Sequence, residues 1–298
     1  MSLRLLLPPE GVADLLSTWP DEPRVYDRGR TEVDKAMSLD AFTELIDTGC
    51  VPPGEIAVIK AGPSNRTAFL TNGRTDAAKL RLLASQGYTI RLGNIQRWLP
   101  AFQQLSQSIQ HETGYSNYMH AFLTPGGEQG LLHHWDQQMA VIVQVSGLKT
   151  WNLWAPPVPA PMREYNESFR VWHEDFIPQW EAAGPDLTIE LMAGQTLLLP
   201  RGWVHNPHAL GYAEPSLHLT FAIRERTPLW LAEQLLARAI EQPEFRRVIL
   251  PNDLEEPVLA DRLSETRSAL ITFLGELDMA EVARLVRRAA VTELEYTT

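Results

Sequence analysis

The chain has 298 residues, 44% of them hydrophobic, and a formal net charge of −11 from 26 Lys plus Arg against 37 Asp plus Glu. That length and apolar content allow one large globular domain with an appendage and exclude a disordered chain. The negative balance argues against general affinity for nucleic acid or an anionic membrane surface, and the single Cys50 excludes an intramolecular disulfide framework.

The opening MSLRLLLPPE carries a short leucine run before two prolines, too short for a signal peptide. No stretch reaches the length of a transmembrane helix, so the expectation is a cytoplasmic protein with no membrane partner. Residues 39–47, LDAFTELID, have apolar positions at helical spacing, and their neighbours are rich in Pro, Asp and Arg. The first fifty or so residues therefore read as short helices and loops flanking a larger fold.

From 56 to 228 the pattern changes to short β-branched and aromatic runs: EIAVIKAG, YTIRLGNIQRW, MAVIVQVSG, LKTWNLW, LTIELMAGQTLLLP and PSLHLTFAIR. Many short strands at such spacing predict a sandwich or a barrel. A helix at 99–114, LPAFQQLSQSIQHETG, interrupts them, with Phe102, Leu105 and Ile109 on one face. After the strands come LWLAEQLLARAIEQ, LADRLSETRSALITFLGELD and MAEVARLVRRAAV, which read as amphipathic helices. The chain thus divides into a mostly β domain with helical flanks, 1–227, and a helical region, 228–298.

Five of the eight histidines fall in LLHHWDQQ (131–138) or in PRGWVHNPHALGYAEPSLHLT (200–220). Strand side chains alternate, so His134 and Asp136 share a face and His133 points away. A third ligand has to come from another strand, and GQTLLLPRGWVH supplies His205 at the rim of the next one. Two imidazoles and a carboxylate so placed suit non-haem Fe(II), with coordination positions left open. His208 and His218 read as supporting or core histidines, and His111, His120 and His173 carry no signal individually.

An H-x-D alone is a weak signal; its continuation strengthens it. MAVIVQVSGLKTW predicts a hairpin about Ser146-Gly147, pairing Lys149 with Gln144. One unbroken strand would put Gln144 about 26 Å from Asp136, so a break at Gln137-Gln138 is expected, folding Lys149 back beside the metal. A lysine buried there requires an anion. A dicarboxylate that chelates the iron at one end and meets Lys149 at the other would fit.

Over 118–224, GEQGLLHHWDQQMAVIVQVSGLKTW, GQTLLLPRGWVHNPHA and PSLHLTFA resemble the JmjC-type Fe(II)/2-oxoglutarate oxygenases of the ribosomal oxygenase group. The resemblance implies a cupin-like double-stranded β-helix (jelly roll) and places His134, Asp136 and His205 on the iron ligands. It puts Lys149 on the basic residue for the far carboxylate of 2-oxoglutarate. Fe(II), 2-oxoglutarate and O2 are the implied cofactor and cosubstrates. The family's Asn-x-Tyr before Thr-Pro-Gly is replaced by His120 and Phe122, so the grip on 2-oxoglutarate differs there. Thr220 and Ser216, near His218, are further candidates beside the site, and Trp135 and Trp203 read as core wall. An acidic, aromatic insert, 155–184, is expected to cover or shape the substrate cleft.

The implied activity is hydroxylation of a peptide or protein side chain, with the β-carbon of histidine or arginine the first candidate. The target would be a ribosomal protein or a ribosomally made natural-product peptide, such as a thioamide-containing one. The C-terminal helices resemble the group's dimerisation region and imply a homodimer. Three alternatives stay open: a lysine demethylase with the same chemistry, a cupin-fold binding or scaffold protein with a silent metal site, and a zinc hydrolase.

Overall fold

A computed structural model describes residues 2–162, 173 and 175–292. A helical flank comes first: α1 (Pro9–Ala13), β1 (Arg24–Asp27), α2 (Glu32–Ala36) and α3 (Leu39–Thr48). Ser38 caps α3 by accepting from the Ala41 N–H, and Gly49, at φ +62°, ends it. Then follow β2 (Ile56–Ile59), the ribbon β3 (Leu70–Thr71) and β4 (Arg74–Thr75), α4 (Ala77–Ser85), β5 (Thr89–Leu92) and α5 (Pro100–Thr113). The barrel strands are β6 (Asn117–Thr124), β7 (Met139–Ser146), β8 (Leu148–Trp154), β9 (Leu187–Met192), β10 (Gln195–Leu199), β11 (Val204–His205) and β12 (Ser216–Ile223). Between β8 and β9 lies α6 (Phe176–Ala183).

Seven strands form one antiparallel sheet in the order β1-β10-β7-β12-β6-β5-β2, and three form a second, β11-β8-β9. Alternation along the strands sorts side chains into two layers. On β12, Leu217, Leu219, Phe221 and Ile223 enter a core shared with Phe42 of α3, Leu80 of α4 and Phe102 and Ile109 of α5. The other face of the large sheet turns toward the small one: Ala140, Ile142, Leu197 and Leu199 pack with Trp151, Leu153, Leu191 and Trp203. Strand β7 reads as a continuous apolar run because both of its faces are covered.

The hairpin expected about Ser146-Gly147 does not form. Strand β7 lies between β10 and β12 in the large sheet, whereas β8 lies between β11 and β9 in the small one, so Lys149 pairs with Leu191 and not with Gln144. A single residue separates the two strands, too short for a two-residue turn, and the chain crosses between sheets there. Gly147 makes the crossing at φ +67°, and a Cβ on it would stand 2.3 Å from the Pro215 carbonyl oxygen. Gly147→Ala is therefore expected to destabilise the protein by more than about 1 kcal/mol, read as a lower urea midpoint at an unchanged m-value.

The run YTIRLGNIQRW forms a strand only to Leu92, because Asn94 takes φ +43° and starts a 3-10 turn at Ile95–Arg97. Among the described residues, 225–292 form a compact unit of their own. It holds α7 (Pro228–Ala237), α8 (Val258–Glu276) and α9 (Met279–Thr292), and within it the rings of Phe245 and Phe273 meet edge-on at 5.9 Å. No helix among the described residues is long and apolar enough to cross a membrane.

Candidate active site

The chain bends at Gln137-Gln138 before β7 begins. His134, just ahead of that bend, pairs with His205 of β11 through two backbone hydrogen bonds, His134 N to His205 O at 3.0 Å and His205 N to His134 O at 2.8 Å. The Gly202 N–H donates to the Asp136 carbonyl at 3.0 Å, which fixes the third residue against the same turn. One potential ligand atom from each of His134, Asp136 and His205 lies within 4.8 Å of the others.

Hydrogen bonding sets which ring nitrogens face the gap. His134 Nδ1 lies 2.7 Å from the Leu132 carbonyl and His205 Nδ1 lies 2.9 Å from the Trp203 carbonyl. A carbonyl only accepts, so each Nδ1 carries the proton and each Nε2 keeps its lone pair. Burial, then the nearby His134, holds the His205 imidazole neutral by pushing its pKa well below the usual range. His205 Nε2 stands 3.9 Å from Asp136 Oδ2, too far for a hydrogen bond. Two lone pairs and a carboxylate converging without bonding to each other form the donor set that a divalent cation would complete. Fe(II) fits two imidazoles and one carboxylate with open positions.

These residues line one wall of a cavity of about 220 Å³. Its floor comes from the large sheet, where neighbouring strands bring His120 opposite Thr220 and Phe122 opposite His218. Phe122 and His218 stack with centroids 4.9 Å apart and planes 6° from parallel. His120 Nδ1 lies 3.1 Å from the Asn94 backbone nitrogen and 3.0 Å from the Met119 carbonyl oxygen. Burial, followed by the nearby Arg91, lowers the His120 pKa to about 4.

Lys149 enters this cavity from β8 and is only 2% exposed. Its ammonium donates to Thr124 Oγ1 at 2.8 Å and lies 3.5 Å from His218 Nδ1. Among the described residues no carboxylate forms an ion pair with it. Burial accordingly lowers its pKa to about 7. A buried lysine without a counter-charge either gives up its proton or is stabilised as the ammonium by an anion.

The structure thus brings His134, Asp136, His205, Lys149, His120, Phe122 and Thr220 to one cavity. It does not bring Ser216 there: that hydroxyl accepts from Gln144 Nε2 at 2.8 Å. His208 sits off the cavity, 3.4 Å from Asn152 Nδ2. Trp203 is wall, its indole N–H donating to the Asp21 carbonyl at 2.9 Å. Cavity residues to which sequence reasoning assigns no role include Arg91, Tyr118, Trp151 and Thr89; it assigns none to Thr124, which holds Lys149, either. Of the insert expected to cover the cleft, residues 163–172 and 174 fall outside the described residues.

A family model for the JmjC domain matches residues 91–229. A bifunctional lysine-specific demethylase and histidyl-hydroxylase NO66 of Aedes aegypti is 31% identical over 285 residues, covering 88% of this chain and 42% of the relative. Ribosomal oxygenase 1 of Danio rerio is 31% identical over 167 residues, covering 54% of this chain and 29% of the relative. The chain therefore spans less than half the length of these curated relatives. A solved structure of the Escherichia coli ribosomal oxygenase YcfD, in complex with cobalt and 2-oxoglutarate, matches with a TM-score of 0.53 at 14% identity, over 98% of this chain and 73% of that one. At that identity the likeness is one of fold.

Proposed function

The chain belongs to the JmjC domain family, and from that premise we propose that it is an Fe(II)- and 2-oxoglutarate-dependent hydroxylase of a peptide or protein side chain. One observation carries the reading: a single cavity has a His-Asp-His donor set on one wall and a buried, acid-free lysine on another. That arrangement suits a dicarboxylate reaching from a metal to a cation. His134, Asp136 and His205 would hold the iron. Lys149, steadied by Thr124, would hold the distal carboxylate.

When bound, iron and 2-oxoglutarate supply the oxidising chemistry: O2 is consumed, 2-oxoglutarate leaves as succinate and CO2, and a substrate C–H becomes C–OH. The protein's part is orientation and exclusion of water. Trp151, Ile142 and Phe122 give the cavity dry walls, and the Nδ1 bonds of both histidines prevent their rings from turning. His120 and Thr220 line the same cavity and would contact the cosubstrate or the reacting group.

The histidine or arginine β-carbon of a ribosomal or natural-product peptide remains the first candidate target. The Aedes aegypti relative is named a histidyl-hydroxylase, which agrees with histidine. Its demethylase half makes removal of a lysine methyl group the second reading. The same proposal includes a cytoplasmic protein with no nucleic-acid partner. It also includes a homodimer through residues 228–298, where Leu229, Leu231, Leu263 and Ile271 are exposed; sedimentation of the full chain checks the dimer.

The test is succinate formation from 2-oxoglutarate with candidate histidine, arginine and methyl-lysine peptides. Dependence on both Fe(II) and O2, with a gain of one oxygen on the peptide, is the expected result. Formaldehyde release from methyl-lysine would favour demethylation. Product formed without O2 or 2-oxoglutarate would replace the reading by a hydrolytic one.

A further inference from the structure

The residues next to the two histidine ligands also meet, on the reverse face of the same strands. His133 precedes His134, Asn206 follows His205, and Asn206 Nδ2 lies 3.2 Å from His133 Nε2. Two segments that carry a ligand each are therefore tied twice: by the backbone pairing of His134 with His205 on the strand axis, and by this side-chain bond behind it. The Asn206 N–H also donates to the Asn152 carbonyl of β8 at 3.3 Å, anchoring the second tie to the small sheet.

The His133 ring is itself held between two tryptophans. Its centroid is 4.8 Å from that of Trp154 at 47°, and 6.3 Å from that of Trp180 at 19°. Trp154 lies at the end of β8, and its indole N–H donates to the carbonyls of Trp180 at 3.1 Å and Gly184 at 2.8 Å. Trp180 belongs to α6, whose other aromatic, Phe176, packs on it with centroids 5.6 Å apart. One unbroken set of contacts thus runs from α6 through Trp180 and Trp154 to His133 and Asn206, and from there along the backbone to His134 and His205.

We propose that His133 and Asn206 are positioning residues for the metal site: their bond sets the separation of His134 and His205, and Trp154 and Trp180 seat that bond on α6. This inference rests on the metal-site reading above. Residues one step removed from metal ligands, holding them by hydrogen bonds, typically alter metal affinity about 10–100-fold when replaced. The second histidine of HHWD acts at the metal and the first acts through it.

The experiment is titration of Co(II) into the metal-free full chain, followed by the visible absorbance of the bound ion, with a melting curve of each metal-free protein. His133→Phe keeps a ring between the tryptophans and loses the bond to Asn206; Asn206→Ala loses the same bond from the other side. Each is expected to raise the Kd for Co(II) at least about tenfold with the melting temperature little changed, and the double variant to be no weaker than either single one. Trp180→Ala is expected to shift the Kd and the absorbance in the same direction. Variants that lower the melting temperature and leave the Kd within twofold would show a structural role only and overturn the proposal. So would variants that leave both unchanged. If the wild-type chain takes up no Co(II), the metal-site reading falls first and the positioning role with it.

Discussion

Replacement of His205 by Ala is expected to abolish 2-oxoglutarate-dependent turnover and to weaken Co(II) or Fe(II) binding by more than the ~10–100-fold that follows loss of an outer contact. His205 is 2% exposed and presents its Nε2 lone pair because its Nδ1 proton is committed to the Trp203 carbonyl. Removing it takes away an imidazole held neutral by its surroundings. It also leaves the Trp203 carbonyl without that donor, an added cost of about 1–3 kcal/mol in folding stability. His205→Gln, which can refill part of the volume, separates the two effects: near-normal urea stability with lost metal binding would assign the defect to ligation. Metal binding and turnover at wild-type levels in His205→Ala would remove His205 from the site.

The sequence alone carried the triad because its spacing obeys local rules. His134 and Asp136 are two apart, and His205 follows a Pro-Arg-Gly break that ends a strand at the rim. The three C-terminal helices and α5 were legible as amphipathic runs at helical spacing. Arg91, Thr124 and Tyr118 were not legible. Arg91 and Tyr118 reach the cavity, and Thr124 reaches Lys149, only because β5 pairs with β6 and β6 with β12, and strand pairing between segments far apart in sequence leaves no mark on a single chain. Strand β6, NYMHAFLT, also hides its period. Its cavity face is Tyr118, His120, Phe122 and Thr124, a mixture of polar and aromatic side chains that looks like no ordinary core strand. The β7-to-β8 connection was misread for a related reason: Ser-Gly between two apolar runs is a good hairpin signal, and nothing local distinguishes a hairpin from a crossing between sheets. The contact of His133 with Asn206 depends on that same sheet geometry, which is why HHWD by itself gave no role to its first histidine.

Lys149→Met should separate function from stability most sharply. A methionine keeps most of the side-chain volume on β8 and removes the charge that is buried without a carboxylate. Loss of a charge-assisted contact of about 1.5–3 kcal/mol predicts a Kd for 2-oxoglutarate roughly 10–100-fold higher, with Co(II) binding unchanged because the Lys149 ammonium contacts Thr124 and His218 rather than His134, Asp136 or His205. The metal-free protein should be no less stable, and below neutral pH more stable, than wild type. The sign follows from linkage: the folded-state pKa of Lys149 is about 7, below its ordinary 10.5, so between those values the unfolded chain holds more protons. Wild-type stability therefore gains from rising pH across that window, while below pH 7 the charged form is buried at full cost. Melting curves of the two proteins should lie furthest apart at acid to neutral pH and converge as pH rises toward 10. The same titration acts in reverse on the ligand. Binding of the dicarboxylate favours the ammonium, so 2-oxoglutarate binding should take up a proton above pH 7, and its affinity should fall by up to about tenfold per pH unit there. Calorimetry in buffers of different ionisation enthalpy measures that proton. A wild-type chain that binds 2-oxoglutarate with no proton uptake at pH 8, or a Lys149→Met protein that binds it as wild type does, would take Lys149 out of the cosubstrate site.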